Sequence, residues 1–248
     1  MQLTYAQKSH FLKNGYVHIP GVVPQVMVDR AMKEINYSVG QGMNVDEMPI
    51  FRAQSFCPEI KNTLVIMGLL NQTPALELAE SIIGGGKLRP VSTGQVALRF
   101  PEVQDPPRPA SPHLDGMPGK NNGVKQGKIA SFTALVGVLL NDLPNPGAGN
   151  FTVWPGSHHI YEAYFQQNGP ESLLGGMPPV DLPEPVQITG KAGDVVLAHY
   201  LLGHGVTTNV SPNIRYACFF RLYHIDHEWD RVMKDKWLYY PGIREIMD

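Results

Sequence analysis

The stretch Ser111–Gly119 reads SPHLDGMPG, and two of its side chains, His113 and Asp115, can ligate a metal. They stand two positions apart. In extended backbone such residues share a face and lie roughly 6.5 Å apart along the axis, so an imidazole nitrogen and a carboxylate oxygen can aim at one point. Taken alone, this is as readily a solvated Pro/Gly loop. A metal needs at least a third ligand from elsewhere. The chain also holds a second His-x-Asp, His224-Ile225-Asp226, but only His227 follows it. Many strand-like runs follow His113, and another histidine can return from any of them.

The candidate third ligand lies in GDVVLAHYLLGHGVTTNVSPNIRYACFFRL. An apolar run leads into a His-Gly turn at His204-Gly205, a polar loop follows, and a new apolar run opens on Arg215, eleven residues after the histidine. If the two runs pair as a hairpin, the arginine returns beside the histidine. His199 competes as ligand but has neither the His-Gly turn nor an arginine at the matching offset. Two histidines and one carboxylate make the facial triad of non-heme Fe(II) oxygenases, which leaves coordination positions open. An adjacent arginine would grip the carboxylate of a metal-bound organic acid through two N–H groups.

Elements must exist to position these residues. Thr4 is placed to cap a helix over residues 5–14, stopped at Asn14-Gly15. GYVHIPGVV reads as a strand with a turn at Pro20-Gly21. Pro24 opens a helix to about residue 39, with Val28, Met32 and Ile35 on one face. Residues 40–60 look irregular, while TLVIMGLL and PALELAESII read as helices, the second ended by Gly84-Gly85-Gly86. Beyond Gly86 the chain turns into strand-like runs with Gly/Pro punctuation, which argues for a sandwich or barrel. Two long connections, 101–128 and 156–185, have the lengths of functional loops. HEWDRVMKDKWLYY reads as a short amphipathic helix. The expected fold class is mainly β with flanking α-helices in one domain over 1–248. Residues 1–86 are mostly helical, 87–226 form the β core, and 227–248 a C-terminal helix.

Bulk properties exclude some partners. Of 248 residues only 17% are charged and the net charge is −2, so neither nucleic acid nor an anionic membrane is drawn by bulk electrostatics. Cys57 and Cys218 make no disulfide framework. No apolar stretch is long enough to span a bilayer and the first residues hold no signal core, so a cytoplasmic location and a small-molecule partner are the expectation.

Four pieces carry a resemblance: FLKNGYVHIPGVV (11–23), HLD (113–115), GAGNFTVWPGSHH (147–159) and GDVVLAHYLLGHGVTTNVSPNIR (193–215). In this order, over nearly the whole chain, they resemble the phytanoyl-CoA dioxygenase-like family of Fe(II)/2-oxoglutarate-dependent oxygenases. The resemblance implies a double-stranded β-helix, a jelly-roll or cupin-like barrel with helices outside the major sheet. It implies His113, Asp115 and His204 as Fe(II) ligands and Arg215 as partner of the far carboxylate of 2-oxoglutarate. It places Asn209 and Ser211 at polar positions of the cosubstrate loop, Arg99 at a basic position before the HxD loop, and Thr133 at a weaker cosubstrate contact. Val206 stands where some members carry a hydroxyl, so that contact is absent or falls to Thr207. Met117 is placed to line the substrate pocket. Trp154, which alternates with Phe151 and Val153, fits packing first and substrate stacking second. His158 and His159 read as structural.

The implied reaction consumes O2 and 2-oxoglutarate, releases succinate and CO2, and hydroxylates a C–H bond of a small organic metabolite. The carboxylate Asp115 favours hydroxylation over halogenation, which needs a small residue there. The alternatives are a cupin-like metal enzyme that does not use 2-oxoglutarate, with no need of Arg215, and a non-catalytic binding protein on the same fold. Substrate choice falls to residues 40–60, 101–128 and 156–185. There Arg52, Arg108, Lys120, Lys125 and Lys128 either favour an anion or form a solvated face.

Overall fold

The computed structural model describes residues 1–103 and 108–247; residues 104–107 of the first long connection lie outside it, as does residue 248. Helix α1 (Tyr5–Asn14) has the expected cap. The Thr4 hydroxyl accepts from the Gln7 amide, the Gln7 side chain returns the bond, and Gly15 closes the helix in the left-handed region. Strand β1 (Tyr16–Ile19) follows, then α2 (Gln25–Gly40), α3 (Met48–Ala53), α4 (Leu64–Asn71) and α5 (Pro74–Ile83). Thr63 and Thr73 cap α4 and α5. Residues 40–60 are therefore not irregular: α3 fills part of them, preceded by a single helical turn over Val45–Glu47.

The β part comprises β2 (Gln95–Arg99), β3 (Ala134–Leu139), β4 (Phe151–Val153), β5 (Val186–Gln187), β6 (Val195–His199), β7 (His204–Val206) and β8 (Arg215–Leu222). Among the described residues these form two antiparallel sheets. The larger has the order β1-β6-β3-β8-β2 and the smaller β5-β4-β7. The class is mixed α/β rather than mainly β, since more residues lie in helices than in strands.

The connection 156–185 is not an open loop. It holds α6 (Ser157–Asn168) and a 3-10 turn over Pro170–Gly175. The expected single C-terminal helix is replaced by two short ones, α7 (Arg231–Lys234) and α8 (Pro241–Arg244). Between them Trp237, Tyr239 and Tyr240 are all buried, more than one helical face could cover.

Strand β8 shows how the layers meet. Its alternate residues Arg215, Phe219 and Arg221 face a cavity, and Phe219 meets Phe151 of the smaller sheet at a ring separation of 5.3 Å. The opposite face carries Phe220, whose ring reaches the backbone at Gly94 beside Ile66 of α4. Both faces of the strand are thus covered, by the second sheet on one side and helices on the other. Full burial of a side chain such as Phe220 contributes about 2–3 kcal/mol of transfer free energy.

Candidate metal centre

His113 and His204 are joined by backbone. Their amides and carbonyls exchange hydrogen bonds, His113 N–H to His204 O at 2.9 Å and His204 N–H to His113 O at 3.1 Å. Residues opposite each other in an antiparallel pair send side chains to one face, and the imidazoles stand 4.5 Å apart between ring centres. His113 is in effect a one-residue addition to the edge of β7. Two glycines permit this. A Cβ on Gly205 would stand 2.5 Å from the Ser111 carbonyl oxygen, so any side chain there would push the 111–115 segment off β7. Gly116 turns the chain at φ +91°, where a Cβ would meet the Ala130 oxygen at 2.4 Å.

Asp115 completes the group. Its Oδ1 lies 3.5 Å from His113 Nε2 and 3.6 Å from His204 Nε2, and the three donor atoms sit within 4.8 Å of one another. His204 Nδ1 donates to the Leu202 carbonyl at 3.0 Å, which leaves the Nε2 lone pair free for a metal. Burial raises the Asp115 carboxyl, but the Arg221 guanidinium and the two histidines outweigh it and hold the group well below the usual carboxylate range. The triad therefore presents an anion and at least one correctly oriented imidazole nitrogen. These donors are the O and N set that suits Fe(II) with positions left open.

The triad forms part of the wall of a cavity of about 380 Å3. Arg215 reaches it from β8. It is 1% exposed, its Nε donates to Gly149 O at 2.8 Å and its Nη1 to Ala97 O at 3.0 Å, while Nη2 is buried without a partner. No carboxylate among the described residues pairs with it. Burial, helped by the neighbouring Arg99, pushes its pKa down to about 9. A buried cation bonded only to neutral carbonyls is costly, and an incoming carboxylate would satisfy both the charge and Nη2. Arg99 stands directly opposite Arg215 in the β2–β8 pairing and lines the same cavity. Met117 and Val206 line it too, and so does Arg52.

Other expected residues lie elsewhere. Thr133 is fully buried away from the cavity; its hydroxyl meets His227 Nδ1 at 3.1 Å and accepts from the His224 amide at 2.9 Å. Asn209 and Ser211 do not line the cavity. Asn209 donates to the carbonyls of Arg99 and Asn213 and accepts from the Ser211 amide and hydroxyl, so the pair ties up the connection between β7 and β8. These strands do not pair as the expected hairpin: β7 lies in the smaller sheet and β8 in the larger, and His204 and Arg215 come together as walls of one cavity between the sheets. Trp154 is buried behind Gly205, and Thr207 lines a different pocket, its hydroxyl oxygen buried without a partner. Arg108 pairs with Glu102, and Lys120, Lys125 and Lys128 do not line the cavity. His199 is no ligand, since its Nε2 donates to Lys236 O and its Nδ1 accepts from the Leu201 amide. His224 and Asp226 gather no third ligand among the described residues. His158 and His159 pack beside Trp237 at the start of α6.

One residue of the site escaped the sequence reading. Arg221 bonds Asp115 through two nitrogens, Nε at 3.0 Å and Nη2 at 2.6 Å. Its signal was parity: it stands six residues after Arg215 in an apolar strand, hence on the same face.

No protein-family model and no curated protein matches the sequence. Solved structures do match. The non-heme alpha ketoglutarate dependent epimerase SnoN from nogalamycin biosynthesis is 22% identical, over 88% of this chain and 82% of SnoN, with a TM-score of 0.62. HygX from Streptomyces hygroscopicus, solved with nickel and 2-oxoglutarate bound, is 19% identical over 92% of this chain and 90% of HygX, with a TM-score of 0.59. EctD from S. alaskensis, solved with 2-oxoglutarate and 5-hydroxyectoine, is 18% identical over 92% of this chain and 78% of its own, with a TM-score of 0.59. What is shared at these identities is the fold, and it is the fold of iron- and 2-oxoglutarate-dependent enzymes over about nine tenths of the chain.

Proposed function

We propose that the chain is a phytanoyl-CoA dioxygenase-like, Fe(II)/2-oxoglutarate-dependent oxygenase that hydroxylates a C–H bond of a small organic molecule. The observation that carries the reading is the buried Arg215 with its unpartnered Nη2, set in the same cavity as the His113, Asp115 and His204 donor atoms. A cupin-like metal enzyme without 2-oxoglutarate would leave that cation unexplained.

His113 and His204 would hold the iron through Nε2 and Asp115 through Oδ1. Arg215, with Arg99 opposite, would receive the far carboxylate of 2-oxoglutarate. When bound, iron and 2-oxoglutarate would supply the electrons that activate O2, so that O2, 2-oxoglutarate and the substrate C–H bond give succinate, CO2 and a hydroxylated product. The chain supplies position and dryness. Leu135, Phe151 and Phe219 wall the cavity with apolar surface, which strengthens the charged contacts inside. A cavity of about 380 Å3 suits a small molecule. Asp115 occupies the position that a halogenating enzyme would leave to a small residue, which supports hydroxylation.

The test is anaerobic. Fe(II) and then 2-oxoglutarate are added to metal-free protein, and the visible metal-to-ligand charge-transfer band of the chelate is followed. The wild type should give the band. His204→Ala should lose it, and Arg215→Ala should need at least tenfold more 2-oxoglutarate. Bound iron without a band in the wild type would overturn the 2-oxoglutarate reading.

A further inference from the structure

The two oxygens of Asp115 have different partners. Oδ1 lies near the two histidine nitrogens, at 3.5 and 3.6 Å. Oδ2 accepts two N–H groups of one guanidinium, Arg221 Nε at 3.0 Å and Nη2 at 2.6 Å. The third arm of that guanidinium is fixed as well: Nη1 donates to Gln95 Oε1 at 3.0 Å, and the guanidinium carbon lies 5.6 Å from the centre of the Phe132 ring. Gln95 belongs to β2 and Arg221 to β8; β2 pairs with residues 215–219 of β8, and Arg221 is itself paired with Leu135 of β3. The clamp is therefore anchored on sheet, not on loop.

A carboxylate beside a divalent cation can bind through one oxygen or swing to bind through both. The second mode would consume a coordination position that the three donor atoms otherwise leave open. For Oδ2 to turn toward the metal here, two charge-assisted hydrogen bonds to Arg221 would have to break. We infer that Arg221 is a positioning residue that, with Gln95, confines Asp115 to one-oxygen ligation and so keeps a coordination position free for a small ligand. The inference rests on the metal-site reading above but not on 2-oxoglutarate. A plain surface ion pair would need neither two nitrogens on one oxygen nor a glutamine holding the third arm, and a lysine, with a single point of charge, could not reproduce the geometry.

The experiment uses the full chain loaded anaerobically with Fe(II), without 2-oxoglutarate, and titrated with nitric oxide. The S = 3/2 signal of the iron–nitrosyl in electron paramagnetic resonance reports the free position. Fe(II) affinity by chelator competition and the melting temperature of metal-free protein are measured beside it. Arg221→Gln should retain Fe(II) within about threefold of wild type yet bind nitric oxide at least tenfold more weakly. Arg221→Lys, which keeps the charge without the two-pronged contact, should fall between them, and it carries the comparison if Arg221→Gln does not fold. Equal nitric oxide affinity in variant and wild type would overturn the inference. So would loss of iron and of the nitrosyl signal in parallel with a lowered melting temperature, because that is the signature of a merely structural ion pair. Wild-type protein that binds iron and nitric oxide but gives no 2-oxoglutarate band would sink the cosubstrate reading and leave this inference to the variants. Wild-type protein that binds no iron would end both.

Discussion

Arg99 and Arg215 face each other across paired strands, and no acid stands between them among the described residues. Directly opposed like charges on a sheet are destabilising by a few tenths to about 1 kcal/mol. An anion between them would offset this cost. In the ligand-free protein, Arg99→Gln should therefore raise stability by about 0.5–1 kcal/mol, read as a shifted urea midpoint. The same substitution should weaken the response to 2-oxoglutarate. At a hundredfold excess over its Kd, a ligand that binds only the folded state adds about 2.7 kcal/mol. That increment should be seen in iron-loaded wild type, shrink in Arg99→Gln and fall by about 1.3 kcal/mol or more in Arg215→Met, as a Kd raised at least tenfold requires. An unchanged urea midpoint together with an unchanged ligand increment in Arg99→Gln would show that the two arginines do not share a carboxylate.

Between strands, the site depends on how closely the 111–116 segment lies on β7. Gly205 is present because a Cβ there would stand 2.5 Å from Ser111 O. Gly205→Ala should separate His113 from His204 by enough to lower metal affinity at least tenfold, with β4 and β7 still paired. Isothermal titration with Co(II), set beside far-ultraviolet circular dichroism, checks both halves; native affinity would refute the packing argument. This local dependence explains what the sequence disclosed. His-x-Asp, His-Gly and an arginine eleven residues on are short-range patterns, and α1, α2, α4 and α5 carry recognisable caps, Pro starts or terminal glycines. Parity within β8 was obscured because the strand is buried on both faces, so RYACFFRL shows no alternation apart from its two arginines. In α6 the buried Ser157, Tyr161 and Phe165 do recur every four residues, but Pro155-Gly156 and Gly169-Pro170 on either side give the segment the composition of a loop. The resemblance puts Thr133 at the cosubstrate, whereas β3 begins one residue later and His224 and His227 take up the hydroxyl.

Across the whole molecule, the C-terminal segment closes over α1 and β6 through a buried aromatic cluster with histidines inside it. His199 is stacked on Tyr240 at 5.0 Å, donates to the Lys236 carbonyl, and is pushed down to about 3 by burial. His158, fully buried 5.6 Å from His199, is pushed down to about 2 by burial and by His199. Both are neutral in the folded state, and in the unfolded chain each takes up a proton near its ordinary value of about 6.5. Below that value the unfolded state binds more protons, so stability falls as the pH falls. The contribution is whole above about pH 6.5 and drains away down to the folded values, near pH 3 and 2. At pH 5 each histidine should have cost about 2 kcal/mol relative to pH 7.5. Urea unfolding of metal-free protein at the two pH values measures these losses together with that of His227, which burial pushes down to about 4, and His199→Phe isolates the His199 part. The phenylalanine keeps the stacking and forfeits two hydrogen bonds, so the variant should be weaker than wild type at pH 7.5. Its loss between pH 7.5 and pH 5 should nonetheless be smaller by about 2 kcal/mol, because one proton-accepting group has gone from the unfolded chain. Parallel losses in variant and wild type would mean that His199 does not unite the C-terminal segment with the core as a neutral group.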